Sequence, residues 1–359
     1  MSAPQRLLLA TGGTGGHIYP ALAVAREAAA RGAEVALIGG LGGMEEHLAG
    51  EAGVQFLGVA TGKWDRQRPD PRQALKAASG LSQAVGLARR FAPDVVVGFG
   101  GFASMPGCFA AWRLRVPLVL HEGNAFPSRV NRWFARAARL FVSAQPEALA
   151  HVRTAKSLVI PFPVREERVE RAAARAALGL PGSAVVTLVM GGSQGSLALN
   201  RAVPDAYEKL ANAGRAPVVI HSTGPRWLPE VEARAAAWPA YHSRPYVDAV
   251  TAWSAADLAI TRAGISTLSE AAFHGVPALM VPLPTAAEDH QSHNARAVAN
   301  AGAGSLVEES EIATALPEAW TRALDPEWRR AAAAAAAART PAGAARRIVD
   351  AVLETGRER

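Results

Sequence analysis

The chain has 359 residues, half of them hydrophobic, with a formal net charge of +7 and a single cysteine. That length suits two domains, and the apolar content excludes a disordered chain. One cysteine, Cys108, excludes a disulfide framework or a cysteine-based metal site, and its apolar setting reads as core. Only four of the 38 basic residues are lysines. The charge therefore reflects either an arginine- and alanine-rich composition or an anionic partner. Among such partners a nucleotide or a phospholipid surface ranks above nucleic acid, because no interleaving of aromatic and basic residues typical of RNA binding is present.

Strand and helix signals alternate along the chain. Apolar runs at Leu7–Ala10, Val35–Ile38, Phe56–Val59, Val95–Val97, Leu118–Leu120 and Leu140–Val142 are separated by helical stretches. A second series runs through Val185–Met190, Val218–Ile220, Leu258–Ile260, Ala278–Val281 and Ser305–Val307. Such alternation predicts parallel sheets with helical crossovers, an α/β fold. Ile160-Pro161-Phe162-Pro163 is a stiff linker between the two series, so residues 1–161 are expected to form one domain and residues 162–340 the other. The first strand begins so early that no signal peptide is expected, and no apolar run approaches the ~18 to 20 residues that span a bilayer. The alanine run Ala331–Ala338 is helix by propensity. Pro341 then lets the last amphipathic helix, residues 341–359, change direction and pack back on the first domain. From Lys63 to Arg90 the chain mixes Lys63, Arg66, Arg68, Arg72, Lys76, Arg89 and Arg90 with Trp64, Leu75, Leu81, Val85 and Leu87. A helix covering the first sheet and a surface resting on anionic lipid both fit that pattern.

Three glycine-rich loops follow strands and precede helices: Gly12-Gly13-Thr14-Gly15-Gly16, Gly100-Gly101 and Gly191-Gly192-Ser193-Gln194-Gly195. Such loops free backbone N–H groups and aim a helix N-terminus at an anion such as phosphate. A phosphorylated ligand held between two α/β units is therefore expected. A nicotinamide dinucleotide is disfavoured. The G-x-G-x-x-A pattern at Gly98, Gly100 and Ala103 follows the fourth strand rather than the first, and the second strand ends Leu37-Ile38-Gly39-Gly40 without a carboxylate for a ribose. No G-x-x-x-x-G-K-[ST] is present, which excludes a P-loop.

In the second half, Arg262-Ala263-Gly264-Ile265-Ser266-Thr267-Leu268-Ser269-Glu270 follows a strand and opens a helix. Ser266 and Thr267 fall where they can meet a diphosphate, and Glu270 where it can accept from ribose hydroxyls. The same residues also read as a helix-capping box. Further on, Glu288-Asp289-His290-Gln291-Ser292-His293-Asn294-Ala295 gathers polar groups suited to sugar hydroxyls. A metal site on His290 and His293 lacks further ligands nearby, and no Asp-x-Asp exists to hold a metal-bound sugar diphosphate.

TGGTGGHIYPALAVA, GFGGFASMPG and HEGN in the first half, with GGSQGS, TRAGISTLSE and DHQSHNA in the second, resemble the MurG family in order and spacing. These are the N-acetylglucosaminyltransferases that complete the lipid-linked disaccharide-pentapeptide precursor of bacterial peptidoglycan. The resemblance runs from about Arg6 to Val307. It implies two Rossmann-like domains facing across a cleft, the glycosyltransferase-B fold, with the acceptor on the first domain and the donor UDP-GlcNAc on the second. It further implies that Ser193 and Gln194 meet the donor diphosphate, that the Val247 backbone reads uracil, and that Ser266 and Thr267 bind near the α-phosphate. Glu270 would hold the ribose, His290 and Gln291 the GlcNAc hydroxyls, and Arg165 matches an arginine near the cleft. On the acceptor side the loops at Gly12–Gly16 (Thr14, Gly15, Gly16) and at Gly100, Gly101 and Phe102 would hold the diphosphate of lipid I, with Asn124 nearby. Two departures bear on the acceptor alone. His121-Glu122-Gly123-Asn124 replaces the usual HEQN, and Phe102 stands where tyrosine is frequent.

The resemblance thus implies an inverting transfer of GlcNAc from UDP-GlcNAc to the 4-hydroxyl of MurNAc in undecaprenyl-pyrophosphoryl-MurNAc-pentapeptide, at the cytoplasmic face of the inner membrane. The protein would be peripheral there, on an anionic surface and beside other cell-wall synthesis proteins. The acceptor hydroxyl needs a base, worth about 10² to 10⁴ in rate. His17 is the first candidate and Glu122 its competitor, with His121 as a structural neighbour. His17 also fits a residue that only hydrogen-bonds phosphate or backbone. Arg262 or Arg165, with helix N-termini and the Ser266/Thr267 pair, would stabilise departing UDP. No tightly bound metal or cofactor is expected, and an added divalent cation would at most stimulate. The competing readings are a UDP-GlcNAc 2-epimerase-like or other glycosyltransferase-B enzyme, and a non-catalytic UDP-GlcNAc-binding protein.

Overall fold

The computed structural model describes residues 5–62, 71–192 and 194–358. Lys63, Trp64, Arg66 and Arg68 of the basic stretch, and Ser193 of the third glycine loop, lie outside the described residues. The chain divides into two compact units, one of Met1–Val164 with Gly343–Arg359 and one of Arg165–Ala342.

The first unit runs β1 (Arg6–Ala10), α1 (Gly15–Ala30), β2 (Glu34–Gly40), α2 (Met44–Glu51), β3 (Gln55–Val59), α3 (Pro71–Phe91) and β4 (Val95–Gly98). It continues through α4 (Met105–Leu114), β5 (Leu118–Glu122), α5 (Arg129–Phe134), β6 (Leu140–Ser143) and β7 (Ser157–Val159). Its sheet is parallel, in the order β3-β2-β1-β4-β5-β6-β7. Because side chains alternate across a strand, each apolar run feeds two cores. Leu7, Leu9, Leu37, Val95 and Val97 pack with Ile18, Leu22 and Val24 of α1 on one face. Leu8, Ala10, Ile38 and Val96 pack with Ala84 and Ala88 of α3 and Cys108 of α4 on the other. Burial pushes the Cys108 thiol up to about 12, as befits a core residue rather than a nucleophile.

The second unit runs α6 (Arg171–Leu178), β8 (Val186–Met190), α7 (Leu197–Asn212), β9 (Val218–Ser222), α8 (Leu228–Ala235), β10 (Tyr241–Arg244) and α9 (Ala249–Ala255). It continues through β11 (Leu258–Thr261), α10 (Ile265–Phe273), β12 (Ala278–Met280), α11 (His290–Asn300), β13 (Gly304–Leu306), α12 (Ile312–Ala323) and α13 (Pro326–Arg339). Its parallel sheet has the order β10-β9-β8-β11-β12-β13. The last helix, α14 (Ala344–Arg357), belongs to the first unit. Its Ile348, Val349 and Val352 are buried in the same core as α1, and Arg31 pairs with Asp350 at 2.5 Å.

The strand order turns back twice, between β1 and β4 and between β8 and β11. Ala10 lies beside Gly98, and Met190 beside Thr261. At such switch points the loops leaving the carboxyl ends of two neighbouring strands diverge and leave a crevice. The first and second glycine loops therefore share one edge, and the third shares another with the Arg262–Gly264 turn.

Two strands escape the sequence reading, β7 and β10. Both are edge strands. With one side unpaired they carry polar or exposed residues, and Tyr-His-Ser-Arg of β10 has no apolar run to betray it.

Burial lowers the imidazoles of His121 and His221 to about 3, with charge on His17 adding to the effect at His121. They stay neutral in the fold while the unfolded chain takes up protons near ~6.5, so their contribution is complete above that pH and is lost as pH falls toward 3. Urea midpoints at pH 7.5 and 4.5 are expected to differ less in a His221→Gln variant than in the native chain. An equal pH dependence in both would show that His221 is not buried neutral.

Candidate functional site

In the first unit the β1–α1 connection places Gly12 and Gly13 at φ of +149° and +91°, conformations closed to most side chains. Gly15 and Gly16 open α1, where N–H groups have no intrahelical partner. His17 follows in the same turn, half-buried, with Nδ1 3.1 Å from the Thr14 hydroxyl. Its ring rests on the second loop. A Cβ at Gly101 would lie 3.0 Å from His17 Nδ1 and 2.7 Å from the Gly12 carbonyl, and one at Gly100 would lie 3.4 Å from the imidazole. Thr14, Gly15, Gly16, His17, Gly100 and Gly101 thus come together. Phe102 begins a single turn of 3₁₀ helix beside them and is 42 % exposed.

Glu122 does not fit the role of base. It is 1 % exposed. Its two oxygens accept from the Asn124 N–H at 3.0 Å, Asn124 Nδ2 at 3.1 Å, the Ser128 N–H at 2.8 Å and Asn131 Nδ2 at 3.0 Å. Burial raises its pKa against the pull of these donors. A carboxylate so enclosed staples the loop after β5, and in this arrangement neither oxygen is turned outward to an incoming hydroxyl. Asn124 likewise commits its backbone N–H and a side-chain N–H to Glu122 rather than to a ligand. Beside it, His121 is buried against Phe99 and Phe162, and its Nε2 has no hydrogen-bond partner.

In the second unit a cavity of about 670 Å³ opens at the carboxyl edge of the sheet. The third glycine loop (Gly191, Gly192, Gly195), Ser196, Arg201, Arg262, Gly264, Thr267, Leu283, Gln291 and Glu309 line it. Of the residues singled out in this half, Arg262, Thr267 and Gln291 reach it. Gln194 is exposed on the loop's rim. Ser266 sits beside Thr267 in the first turn of α10. Val247 is half-buried between β10 and α9. Arg165 lies apart from the cavity lining and pairs with Glu167 at 2.6 Å, both side chains exposed.

The capping-box reading of the Thr267–Glu270 pair fails. The N-cap of α10 is Gly264, which has no side chain to bond an N–H, and Glu270 accepts instead from the Trp253 indole N–H at 3.1 Å. The N-terminal amides of α10 therefore have no side-chain cap, and burial raises the Glu270 pKa while the Trp253 hydrogen bond opposes the shift. Gln291 accepts through Oε1 from the Ala263 and Leu283 N–H groups at 3.1 and 3.0 Å. Its Oε1 is thereby committed, and the amide NH₂, a donor, is the part not used in holding the turn. The buried Asn294 completes the lock by donating to the Ala263 carbonyl at 3.2 Å. The His290 Nδ1 lies 2.7 Å from the Ala287 carbonyl. That nitrogen must carry a proton, which in the neutral ring makes Nε2 the acceptor.

Arg262 is less free than its place in the motif suggests. Its Nη1 contacts Glu309 Oε2 at 2.5 Å and donates to the Val281 and Pro282 carbonyls at 3.2 Å each. Glu309 and Trp253 carry no signal in the sequence, because each acts through a partner distant along the chain, and Asn294, part of the polar run read for sugar hydroxyls, donates to the Ala263 carbonyl. The His221 environment is equally hidden. His221 Nδ1 lies 2.7 Å from the Tyr241 hydroxyl and Nε2 2.9 Å from Asn200 Oδ1, while Asn200 Nδ2 donates to the Thr223 carbonyl at 2.9 Å. Thr223 in turn bears directly on Gly195 of the third loop. Among the described residues no group of three or more His, Cys, Asp or Glu side chains is placed to hold a metal ion.

Residues 7–142 match the glycosyltransferase family 28 N-terminal domain, and residues 186–348 match the family 28 C-terminal domain. A Deinococcus radiodurans protein named UDP-N-acetylglucosamine--N-acetylmuramyl-(pentapeptide) pyrophosphoryl-undecaprenol N-acetylglucosamine transferase is 47 % identical, over 96 % of this chain and 94 % of its own. A Thermus thermophilus protein of the same name is 40 % identical over 96 % of this chain and 98 % of its own. The crystal structure of Acinetobacter baumannii MurG superposes with a TM-score of 0.84 at 28 % identity, covering 98 % of this chain and all of that one.

Two substitutions check the geometry. Glu122→Gln is expected to lower unfolding free energy by about 1–3 kcal/mol, since the two N–H donors on one oxygen then face an amide NH₂. Urea unfolding measures this, and unchanged stability with abolished turnover would restore Glu122 as the base. Trp253→Phe keeps an aromatic ring, smaller than the indole, and deletes the N–H, so the Glu270 pKa rises further. Calorimetric titration with UDP is expected to show affinity reduced roughly tenfold, with the loss on acidification setting in at higher pH than in the native chain.

Proposed function

Because the chain belongs to the MurG group of glycosyltransferase family 28, we infer that it moves GlcNAc from UDP-GlcNAc to the 4-hydroxyl of MurNAc in undecaprenyl-pyrophosphoryl-MurNAc-pentapeptide, converting lipid I to lipid II. The observation that carries this reading is identity of 47 % to a transferase of that name across nearly the whole chain. The cavity fits the donor. It joins a glycine loop, the N-terminus of α10 and a Gln291 amide fixed as a donor, the combination that a diphosphate and sugar hydroxyls require.

In this reading UDP-GlcNAc lies in the second unit, with its diphosphate against Gly191–Gly195 and the first turn of α10 at Ser266 and Thr267. Glu270 takes the ribose, the backbone at Val247 the uracil, and His290 Nε2 and the Gln291 amide the sugar hydroxyls. The acceptor diphosphate lies at Gly15, Gly16, Gly100 and Gly101. The MurNAc 4-hydroxyl attacks C1 of GlcNAc on the face opposite UDP. As the new C–O bond forms, the bond from C1 to the β-phosphate oxygen breaks and its electron pair departs with UDP. His17 takes the hydroxyl proton. The leaving charge is met by dipoles held in place before the reaction. Arg262 contributes as a charge already anchored by Glu309, and Arg165 becomes available only when it leaves Glu167.

The protein works as a peripheral component of the cytoplasmic membrane face. Supporting this, Leu75 on α3 and Trp112 on α4 are 77 % and 56 % exposed on helices that pack together. Arg72, Lys76, Arg113 and Arg115 stand near them in sequence, the composition of an anionic-lipid contact. No helix among the described residues is long and apolar enough to cross a membrane.

Incubation of radiolabelled UDP-GlcNAc with a short-chain lipid I analogue is expected to yield labelled disaccharide lipid, including in the presence of EDTA. Conversion of UDP-GlcNAc without the acceptor would point to an epimerase instead. His17→Ala is expected to lower kcat by about 10² or more while UDP affinity stays within about twofold of the native value, inside the error of one hydrogen bond. Unchanged turnover sinks the assignment of His17.

A further inference from the structure

Glu45 has no place in the reaction just described, yet four glycines give way to it. It is the second residue of α2 and is 3 % exposed. A Cβ at Gly12 would strike its carboxylate, and one at Gly43 would lie 2.5 Å from its Cδ. A Cβ at Gly39 would lie 2.8 Å from its Cγ, and one at Gly40 3.2 Å from Oε1. Its two oxygens serve different loops. Oε1 accepts from the Gly40 N–H at 3.0 Å, at the end of β2, and Oε2 from the Gly13 N–H at 3.3 Å, in the first glycine loop.

Two consequences follow. A loop that the sequence offers as an open nest for an anion already has one of its N–H groups engaged by an anion of the protein itself. The amides of Gly15 and Gly16, in the first turn of α1, are among the donors that remain. The clamp also reaches further. Gly12 is pressed between Glu45 and Ala103, and its carbonyl lies against Gly101, which carries the His17 ring. Tilting the Gly12–Gly13 segment therefore moves both walls of the first-unit site.

We propose that Glu45 is a positioning residue for the acceptor: its buried carboxylate bridges Gly13 and Gly40, fixes the first glycine loop, and directs the lipid-linked diphosphate to the α1 N-terminus. This rests on the reading that the first-unit loops serve the acceptor. A glutamine has the same shape but must turn its NH₂ toward one of the two N–H groups, and an aspartate is too short to reach both.

The test uses the full-length protein with UDP-GlcNAc and a short-chain lipid I analogue. In Glu45→Gln and Glu45→Asp the acceptor KM is expected to rise about tenfold, the effect of one misplaced hydrogen bond, with the UDP-GlcNAc KM within about twofold of native. Folded variants with an unchanged acceptor KM overturn the proposal. So does a variant whose only change is a lower Tm. A rise confined to the UDP-GlcNAc KM overturns the assignment of this loop to the acceptor, and the proposal with it. Hydrogen exchange of the native protein supplies a readout independent of turnover and of variant folding. The Gly13 and Gly40 amides are expected to be protected, and exchange of both at the solvent rate refutes the bridge.

Discussion

Close passage of one backbone against another, where loops leave neighbouring strands, is the constraint on which both candidate sites depend. In the first unit Gly101 lies against the Gly12 carbonyl, and in the second Gly195 abuts the Thr223 carbonyl while Gly224 abuts that of Gln194. Any side chain at these points would push the loops apart, and the six glycines at φ between +74° and +149° in the three glycine-rich loops (Gly12, Gly13, Gly100, Gly101, Gly192 and Gly195) hold backbone conformations that other residues rarely adopt. The loops therefore do more than expose N–H groups. Their contact fixes the distance between the donors and the residues that follow, His17 in one case and Ser196 in the other.

Buried polar groups hold these loops in place, some through near neighbours in the chain and some through distant ones. Glu122 collects N–H donors from the loop after β5, Glu45 ties the loops after β1 and β2, and Gln291 with Asn294 pins the turn after β11. The Tyr241–His221–Asn200 chain ends on the carbonyl that supports Gly195. Since His221 must donate to the Asn200 oxygen while Asn200 donates to Thr223, the hydrogen bonds run in one direction and each polarises the next. An unpaired buried polar group is costly, so such networks favour one arrangement of the loop over its neighbours.

The same networks explain which functional readings of the sequence needed revision. Glu122 has the chemistry of a base and stands at the edge of the right sheet, but its surroundings fill every acceptor site. Thr267 and Glu270 have the spacing of a capping box, yet Gly264 opens the helix and Trp253 claims the carboxylate. Arg262 offers a charge to the cavity that Glu309 already shares. In each case the residue type and local spacing were legible, and the partner that decides its role was not.

The sequence by itself determined the α/β class, because alternating apolar runs and helical segments are local patterns. It also determined the family, because six motifs recur in order, and the glycine positions of the loops. Tertiary structure alone decided which loops share an edge, since that follows from the strand orders β3-β2-β1-β4 and β10-β9-β8-β11 rather than from chain order. It also decided which carboxylates are structural, and it uncovered β7 and β10, whose edge positions need no apolar signature. The physical reason is common to all three. Hydrophobic periodicity is written within a few residues, whereas burial and hydrogen-bond partnership arise only when distant segments are packed together.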